Sequence, residues 1–400
     1  MISQRFYPEA FRINDICKEL VKEGHRVTVL TGLPNYPSGN IPKEYRRNRK
    51  HRDSYEGAEV IRTWEVGRRP GKLGLAVNYG SLALSSSWEA LWMKKGYDVI
   101  FVYQPSPVFS LIPAWIIKKR SGIPILLYCC DLWPESLKAY EVGEGQMLFR
   151  IMRRVSGFLY RQCDRIAVTS MPFVEYLQRV HQLKTEMLYL PQHAEETYLE
   201  MDLSHLEGEE VQLLFCGNVG KAQDMPCLLH GIAGIEKGLM FHVHIVGDGS
   251  ELEASRRLAK ELKIQDKVTF HGRYPSERLP DFYRMADGCL LTLTGKSFIG
   301  MTMPGKLQEY MAAGKTVLAA TDGAAKGVIE ESGCGVCVGA GDWEGYGKIL
   351  SRFIEDVEGY KGCGERGRRY FRENFTKGLF MGKLVGSFEE ISVMKQLMHD

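Results

Sequence analysis

Four short segments in the second half of the chain combine glycine, amide and basic residues in patterns suited to holding phosphate. Cys216-Gly217-Asn218-Val219-Gly220-Lys221-Ala222-Gln223 has glycines that let backbone amides approach a ligand, and Asn218, Lys221 and Gln223 add side-chain donors. Val246-Gly247-Asp248-Gly249-Ser250 resembles the start of a dinucleotide fingerprint but lacks its third glycine, which argues against NAD. His271-Gly272-Arg273-Tyr274 contributes a guanidinium. Met303-Pro304-Gly305-Lys306-Leu307-Gln308-Glu309 sets a proline and a glycine before a helix whose free amides and dipole would hold a diphosphate. Lys306 supplies a point charge there, and Glu309, one turn later, can accept hydrogen bonds from ribose hydroxyls. Each segment also has a plain structural explanation: Gly-Asp-Gly commonly makes a turn, Asp248 can cap a helix, and a surface Glu309 would be solvated. All four following successive strands of one domain turns the balance towards a nucleotide-diphosphate site.

The first half carries three further segments: Phe6-Tyr7-Pro8-Glu9, Leu33-Pro34-Asn35-Tyr36-Pro37-Ser38-Gly39 and Asp131-Leu132-Trp133-Pro134-Glu135. Asp131 follows an apolar strand, so it should face a cleft, where a carboxylate can deprotonate or orient an acceptor hydroxyl. A local cap or backbone bond is the other reading of Asp131, and Glu135 is the alternative base. Tyr36 and Trp133 either stack on sugar rings or pack half-buried. Tyr7, Pro8, Glu9, Asn35, Tyr36, Trp133 and Glu135 form the expected acceptor-binding set. Metal chemistry finds no support: Cys334 and Cys337 have pair spacing without a second pair, His242 and His244 share a strand face without further ligands, and no Asp-x-Asp occurs. Walker-type and Gly-x-Ser-x-Gly loops are absent too.

The elements that position these segments alternate strand with helix. Strands are expected at 25–31, 59–63, 99–103, 123–129, 165–169 and 186–190, with helices at 10–23, 80–95, 109–120 and 145–162 between them. The strand before the first helix is left with only Met1-Ile2-Ser3, so the true start is expected to lie upstream of Met1. A polar lapse from Leu190 to Glu210 marks a domain boundary. A second series follows, with strands at 211–216, 241–246, 267–271, 288–293 and 316–320 and helices at 225–236, 251–262, 279–286 and 306–313. A long helical tract starts near Asp342 and breaks near 360–364. The pattern gives an α/β protein of two tandem Rossmann-like domains facing a cleft, each with a mostly parallel sheet covered on both faces.

Of the 400 residues, 44 % are apolar and 25 % charged, which excludes global disorder. The longest apolar runs fall far short of the ~20 residues of a membrane helix. Ten scattered cysteines fit a reduced, cytoplasmic chain. The net charge of +3 hides an asymmetry: residues 1–165 hold 26 basic and 16 acidic side chains of the 52 and 49 in the chain. That imbalance favours an anionic partner for the first domain.

The tandem domains, the Gly217-Asn218 loop, Gly247-Asp248-Gly249 and the segment from Pro304 to Gly314 resemble glycosyltransferase family 4, with the GT-B fold. The first-domain segments look closer to a bacterial branch named for fucosamine transfer in O-antigen, capsule and colanic-acid pathways. The resemblance implies an acceptor domain (1–192), a nucleotide-sugar domain (193–372) and a C-terminal helix (373–400) packing back on the first domain. It implies retaining transfer, without metal or cofactor, of an N-acetylated amino or deoxy sugar from a UDP-sugar to a lipid-diphosphate-linked saccharide in cell-surface polysaccharide synthesis. Asp131, Lys306 and Glu309 would be catalytic. Gly217, Asn218, Lys221, Gln223, Gly247, Asp248, Gly249, Arg273, Pro304, Gly305, Lys306, Leu307 and Glu309 would bind donor. Glu309 matches the second glutamate of the family's Glu-x7-Glu motif, and Met301 stands at the first, pointing to an unusual or deoxygenated donor sugar. Asn218 and Gln223 stand where the family has Arg and Lys, leaving phosphate charge to Lys306, helix dipoles and Lys221. Peripheral contact with the inner face of an anionic membrane fits the basic first domain, and nucleic acid is not expected. A sugar-nucleotide epimerase of the same build and a non-catalytic nucleotide-sugar-binding subunit are the alternatives.

Overall fold

A computed structural model describes residues 1–69, 71–204, 208, 210–295 and 301–397. The chain divides into two compact units, residues 1–190 with 381–400 and residues 191–380. The return to unit 1, at Met381, falls inside the last helix, eight residues beyond 373.

In unit 1 the strands are β1 (Thr28–Thr31), β2 (Arg52–Tyr55), β3 (Ala58–Arg62), β4 (Ile100–Gln104), β5 (Ile125–Cys129), β6 (Arg165–Val168) and β7 (Met187–Tyr189). They form two ladders, β1-β3-β2 and β4-β5-β6-β7, parallel except for the β2–β3 hairpin. Ile2 joins the ladders, bridging Leu30 on one side and Val102 on the other. The residues 1–3 thus occupy a strand position in miniature. The β2 hairpin was not expected, because its sequence Arg-Asp-Ser-Tyr has no apolar alternation and its strand is largely solvated. The helices are α1 (Arg12–Lys22), α2 (Gly71–Ala90), α3 (Leu111–Ser121), α4 (Met147–Tyr160) and α5 (Met171–His181). β4, β5 and β6 are buried at every position, and their stretches Ile100–Tyr103, Ile125–Cys129 and Ile166–Val168 read as apolar runs.

Unit 2 holds β8 (Val211–Cys216), β9 (Phe241–Val246), β10 (Val268–Gly272), β11 (Gly288–Thr292), β12 (Thr316–Ala320) and β13 (Gly335–Val338). Its helices are α6 (Met225–Ala233), α7 (Leu252–Glu261), α8 (Leu279–Met285), α9 (Gly305–Ala312), α10 (Gly323–Ser332), α11 (Trp343–Glu355) and α12 (Lys361–Asn374); α13 (Lys377–Leu397) leads back to unit 1. All strands are parallel, in the order β10-β9-β8-β11-β12-β13. Alternate side chains feed two cores: Leu214, Cys216 and Leu291 pack with Leu307, Tyr310 and Phe371, while Leu213, Phe215 and Leu290 pack with Leu228, Tyr346 and Phe353. Cys337 lies in β13 and Cys334 immediately precedes it, both without a disulfide. The order reverses between β8 and β11, and in open parallel sheets ligands bind beyond the strand ends at such a reversal.

In unit 1, α13 packs through Phe388 against Phe101 of β4, and Glu390 pairs with Arg165 of β6.

Candidate functional site

The strand-end loops of unit 2 are zipped together laterally. Gly217 donates to the Val246 carbonyl at 2.8 Å, Val219 to that of Asp248 at 2.9 Å, and Gly247 to that of Gly272 at 2.8 Å. Two glycines make this possible. Gly217 has φ +135° and Gly247 φ +148°, and a Cβ on Gly247 would stand 1.8 Å from the Gly217 carbonyl oxygen. Above the joined loops lies a cavity of about 320 Å³, lined by Cys216, Gly217, Asn218, Val246, Gly247, Asp248, Arg273, Tyr274 and Leu279. Five of these residues are expected donor contacts. Tyr274 and Leu279 were not singled out; Tyr274 sits beside the flagged Arg273, and nothing in the sequence marks Leu279.

Lys306 reaches this floor from the first turn of α9. Its Nζ lies 3.7 Å from the centroid of the Phe215 ring, and a Cβ on Gly217 would meet its Cε at 3.2 Å. That Nζ is shielded from solvent and has no hydrogen-bond partner among the described residues. Burial pulls its pKa from 10.5 down to about 7, opposed by the fields of Cys216 and Glu309. A buried, unpaired ammonium is an unstable arrangement that an anion would relieve. Pro304 at the N-cap offers no side-chain acceptor, and Gly305 is exposed with nothing within 4 Å of a Cβ built on it, so the helix start is open among the described residues. Tyr310, one turn on, ties the strand ends: its hydroxyl accepts from the Cys216 amide at 2.9 Å and donates to the Cys216 or Leu290 carbonyl. Glu309 accepts from the Tyr283 hydroxyl at 3.4 Å.

Other expected donor residues serve the fold. Leu307 is fully buried in the core and its amide donates to the Pro304 carbonyl, so it offers a ligand nothing; this corrects the expectation. Gln223 uses its amide oxygen to accept from Gly220 N and Asn218 Nδ2, which shapes the loop. Lys221 is exposed and lies outside the cavity lining, and Gly249 holds its place because Val219 O lies 2.2 Å from where its Cβ would be. His242 and His244 gain a neighbour unseen in the sequence: His244 Nδ1 is 2.9 Å from His271 Nε2, and burial and the other two rings hold His244 down at about 4.

In unit 1 the acceptor-side residues divide by exposure. Tyr7 and Tyr36 are exposed, Tyr36 under the Arg5 guanidinium. Glu9 is buried: its Oε1 accepts from the Asn35 amide at 2.7 Å and also from Tyr36, so it joins the loops carrying Pro8 and Pro37. Asn35 is buried and donates to Glu65, a buried carboxylate three residues past β3 that the sequence does not mark. Burial pushes Glu65 up to about 8, against the pull of Arg5. Trp133 corrects an expectation: it is buried, donates from Nε1 to Ser106 Oγ at 3.2 Å and packs on Tyr79 and Phe109, so no ring face is free for a sugar. Glu135 is likewise spent, accepting from Tyr176 Oη at 2.8 Å and pairing with Lys138 at 2.7 Å, which removes it as a base. Asp131 is lifted by burial to about 6, while bonds from Ser136, the Leu132 amide, Ser106 and Trp133 favour its ionised form.

Comparison with known proteins gives the family and the fold. A family model described as glycosyl transferases group 1 matches residues 201–370, and one described as a glycosyl transferase 4-like domain matches residues 10–191. The chain belongs to the glycosyltransferases of this family. N-acetyl-alpha-D-glucosaminyl L-malate synthase of Bacillus anthracis is 23 % identical over 390 residues, covering 94 % of this chain and 91 % of that protein. The Escherichia coli protein named "Putative colanic acid biosynthesis glycosyl transferase WcaI" is 20 % identical, covering 77 % of this glycosyltransferase and 79 % of its own length. The solved structure of Anabaena Alr3699/HepE in complex with UDP aligns with TM-score 0.67 at 14 % identity, over 94 % of this chain and 95 % of that one. Its likeness places the glycosyltransferase in the GT-B fold.

Proposed function

We propose that this glycosyltransferase moves a sugar, N-acetylated or deoxygenated, from a UDP-sugar to a lipid-diphosphate-linked saccharide, with retention and without metal, in cell-surface polysaccharide synthesis. One observation carries the reading: the unpartnered Nζ of Lys306, buried against Gly217 beside a cavity at the strand-order reversal. A diphosphate seated on the Gly217 and Gly247 loops would meet that ammonium, the open start of α9 and Arg273. Glu309 is suited to the ribose hydroxyls. The bound UDP of HepE supports the nucleotide, and the names of the Bacillus and Escherichia relatives support the amino sugar and the polysaccharide setting.

In the reaction an acceptor hydroxyl bonds to the anomeric carbon on the face from which UDP departs. The glycosidic C–O bond to the β-phosphate breaks, and its electron pair leaves with UDP. The acceptor proton passes to the departing phosphate oxygen or to Asp131. Stabilising the charge that grows on the diphosphate falls to Lys306 and the backbone amides, the larger share of rate enhancement in such a step.

Thermal unfolding with a panel of nucleoside diphosphates, followed by radiolabelled transfer from UDP-sugars to lipid-linked acceptors, tests the proposal. UDP at ~100 times its dissociation constant should add ~2.7 kcal/mol of stability. Conversion of a UDP-sugar with no acceptor present would instead establish the epimerase. UDP binding without transfer across a wide acceptor panel would establish a binding subunit.

A further inference from the structure

We propose that the outward face of α2 docks unit 1 on an anionic lipid bilayer. This extends the lipid-linked-acceptor reading and rests on it only for the choice of surface chemistry. Along α2 the side chains of Leu73, Val77, Leu84 and Trp88, continued by Leu91, recur at helical spacing and therefore lie along one stripe. All are exposed, Leu84 at 77 % and Trp88 at 65 %. Trp92, 71 % exposed, meets the Trp88 ring edge-on, and Trp64, 59 % exposed, lies alongside, its carbonyl accepting from Ser85 of the same helix. Scattered exposed apolar residues are ordinary, but a continuous stripe ending in three tryptophans marks an interaction surface.

The charge distribution selects the partner. The twenty residues of α2 hold only two charged side chains, Lys72 and Glu89. Cations gather at its ends instead: Arg69 before the stripe, beside Lys72, which pairs with Glu141 at 3.7 Å, and Lys94 and Lys95 after it, all exposed. The basic segment 46–52 joins them, because His51 approaches Glu89 at 3.7 Å. An apolar stripe with tryptophans at the edge and cations around it matches the layering of a bilayer surface, acyl chains below and anionic headgroups beside. No described helix is long and apolar enough to cross a membrane, so α2 would lie on the surface. Its opposite face holds the acceptor-side loops: Asn78 accepts from Gln4 at 2.9 Å, and the Tyr79 hydroxyl is 3.3 Å from Ser106 Oγ, the group that also receives Trp133 Nε1. A single rigid helix thereby couples the bilayer to the segments around Glu9 and Asp131.

The test is co-sedimentation of the full chain with vesicles of phosphatidylcholine alone or mixed with phosphatidylglycerol, at low and high salt, with tryptophan emission recorded. The protein should partition onto the mixed vesicles with a blue shift, and salt should weaken partitioning without abolishing it. The combined variant Leu84→Ser, Trp88→Ser, Trp92→Ser should lose at least ~10-fold of the partition coefficient on both lipids. Lys94→Ala and Lys95→Ala should each lose roughly 5-fold, on the anionic vesicles alone. Wild-type partitioning by the triple variant, or no wild-type binding to either vesicle, would overturn the proposal. So would a homodimer in light scattering that the triple variant dissolves while vesicle binding is absent, which would assign the stripe to a second copy. The UDP-induced thermal shift, which depends on unit 2, verifies that each variant is folded. Its absence alongside intact vesicle binding would instead refute the donor reading and leave the docking surface standing.

Discussion

Proton uptake on UDP binding offers the sharpest test of the donor site, because it reads the state of one nitrogen. In the free protein Lys306 Nζ is buried and unpartnered, and its pKa lies at about 7 rather than 10.5. At pH 8 most of the free protein therefore lacks the proton there. A bound diphosphate supplies the missing counter-charge and returns the group towards its ordinary value, so binding should take up most of one proton at pH 8. The ligand's own phosphates have finished titrating by that pH. Calorimetry in two buffers of different ionisation heat measures the uptake directly. From about pH 8 to 10 the affinity should fall ~10-fold per pH unit, or ~1.4 kcal/mol. Lys306→Met should abolish both the uptake and the slope, and weaken UDP binding at pH 7 by roughly 10- to 100-fold, the loss of one charge-assisted contact.

Stability must move in the opposite sense. Between pH 7 and 10.5 the unfolded chain binds a proton on Lys306 that the folded chain lacks, so this group's penalty on the folded state shrinks as pH rises through that window. At pH 7 the penalty is on the order of 4 kcal/mol. Lys306→Met should therefore be more stable than wild type at neutral pH, with the gap closing towards pH 10. A side chain that weakens the fold and strengthens ligand binding is the mark of a binding residue. Buffer-independent heats at pH 8, or full uptake retained in Lys306→Met, would refute the reasoning.

Three further outcomes are expected. Glu309→Ala should lower transfer at least ~10-fold in steady-state assays with a normal unfolding transition, given ~1.5–3 kcal/mol for one charge-assisted hydrogen bond, and unchanged turnover would remove its ribose role. Gly247→Ala should abolish the UDP-induced thermal shift and lower the melting temperature, since its methyl group would collide with the Gly217 carbonyl 1.8 Å away. If Asp131 is the base, transfer should decline as pH falls through about 6; Asp131→Asn should lose ~100-fold in rate and that acid limb with it, and a retained limb would assign the base elsewhere.

Legibility in the sequence followed burial. The buried strand β5 is an unbroken apolar run, β8 and β12 depart from one only at Gln212 and Thr316, and the glycine-rich loops after β8 and β9 announce themselves by composition. α2 starts nine residues before the expected helix and ends five before it, because a helix apolar on two sides has no clear period. α10 and β13 escaped notice behind the cysteine spacing at 334 and 337. The candidate site was half legible. Residue type and position after a strand located Gly217, Gly247, Asp248 and Arg273, all of which line the cavity. What composition could not show is how each polar group is satisfied, a property of contacts between segments far apart in the chain.

That property separates residues that shape a site from residues that serve a ligand. Glu9, Asn35, Glu135 and Gln223 are the polar types expected at a sugar-binding surface, yet each spends an oxygen or a nitrogen on a neighbouring loop: Glu9 on the Asn35 amide, Asn35 on Glu65, Glu135 on Tyr176, Gln223 on Gly220. Replacing any of them should disturb loop geometry first and binding only as a consequence. Lys306 differs in kind. Gly217, Phe215 and the turn of α9 hold its ammonium away from water without giving it a hydrogen-bond acceptor, a balance that the Phe215 ring face offsets only in part and that costs folding free energy. Packing alone would favour a leucine or methionine there. A lysine is the better residue only when something negatively charged completes the site, which is the physical ground for reading this strand end as the seat of a diphosphate.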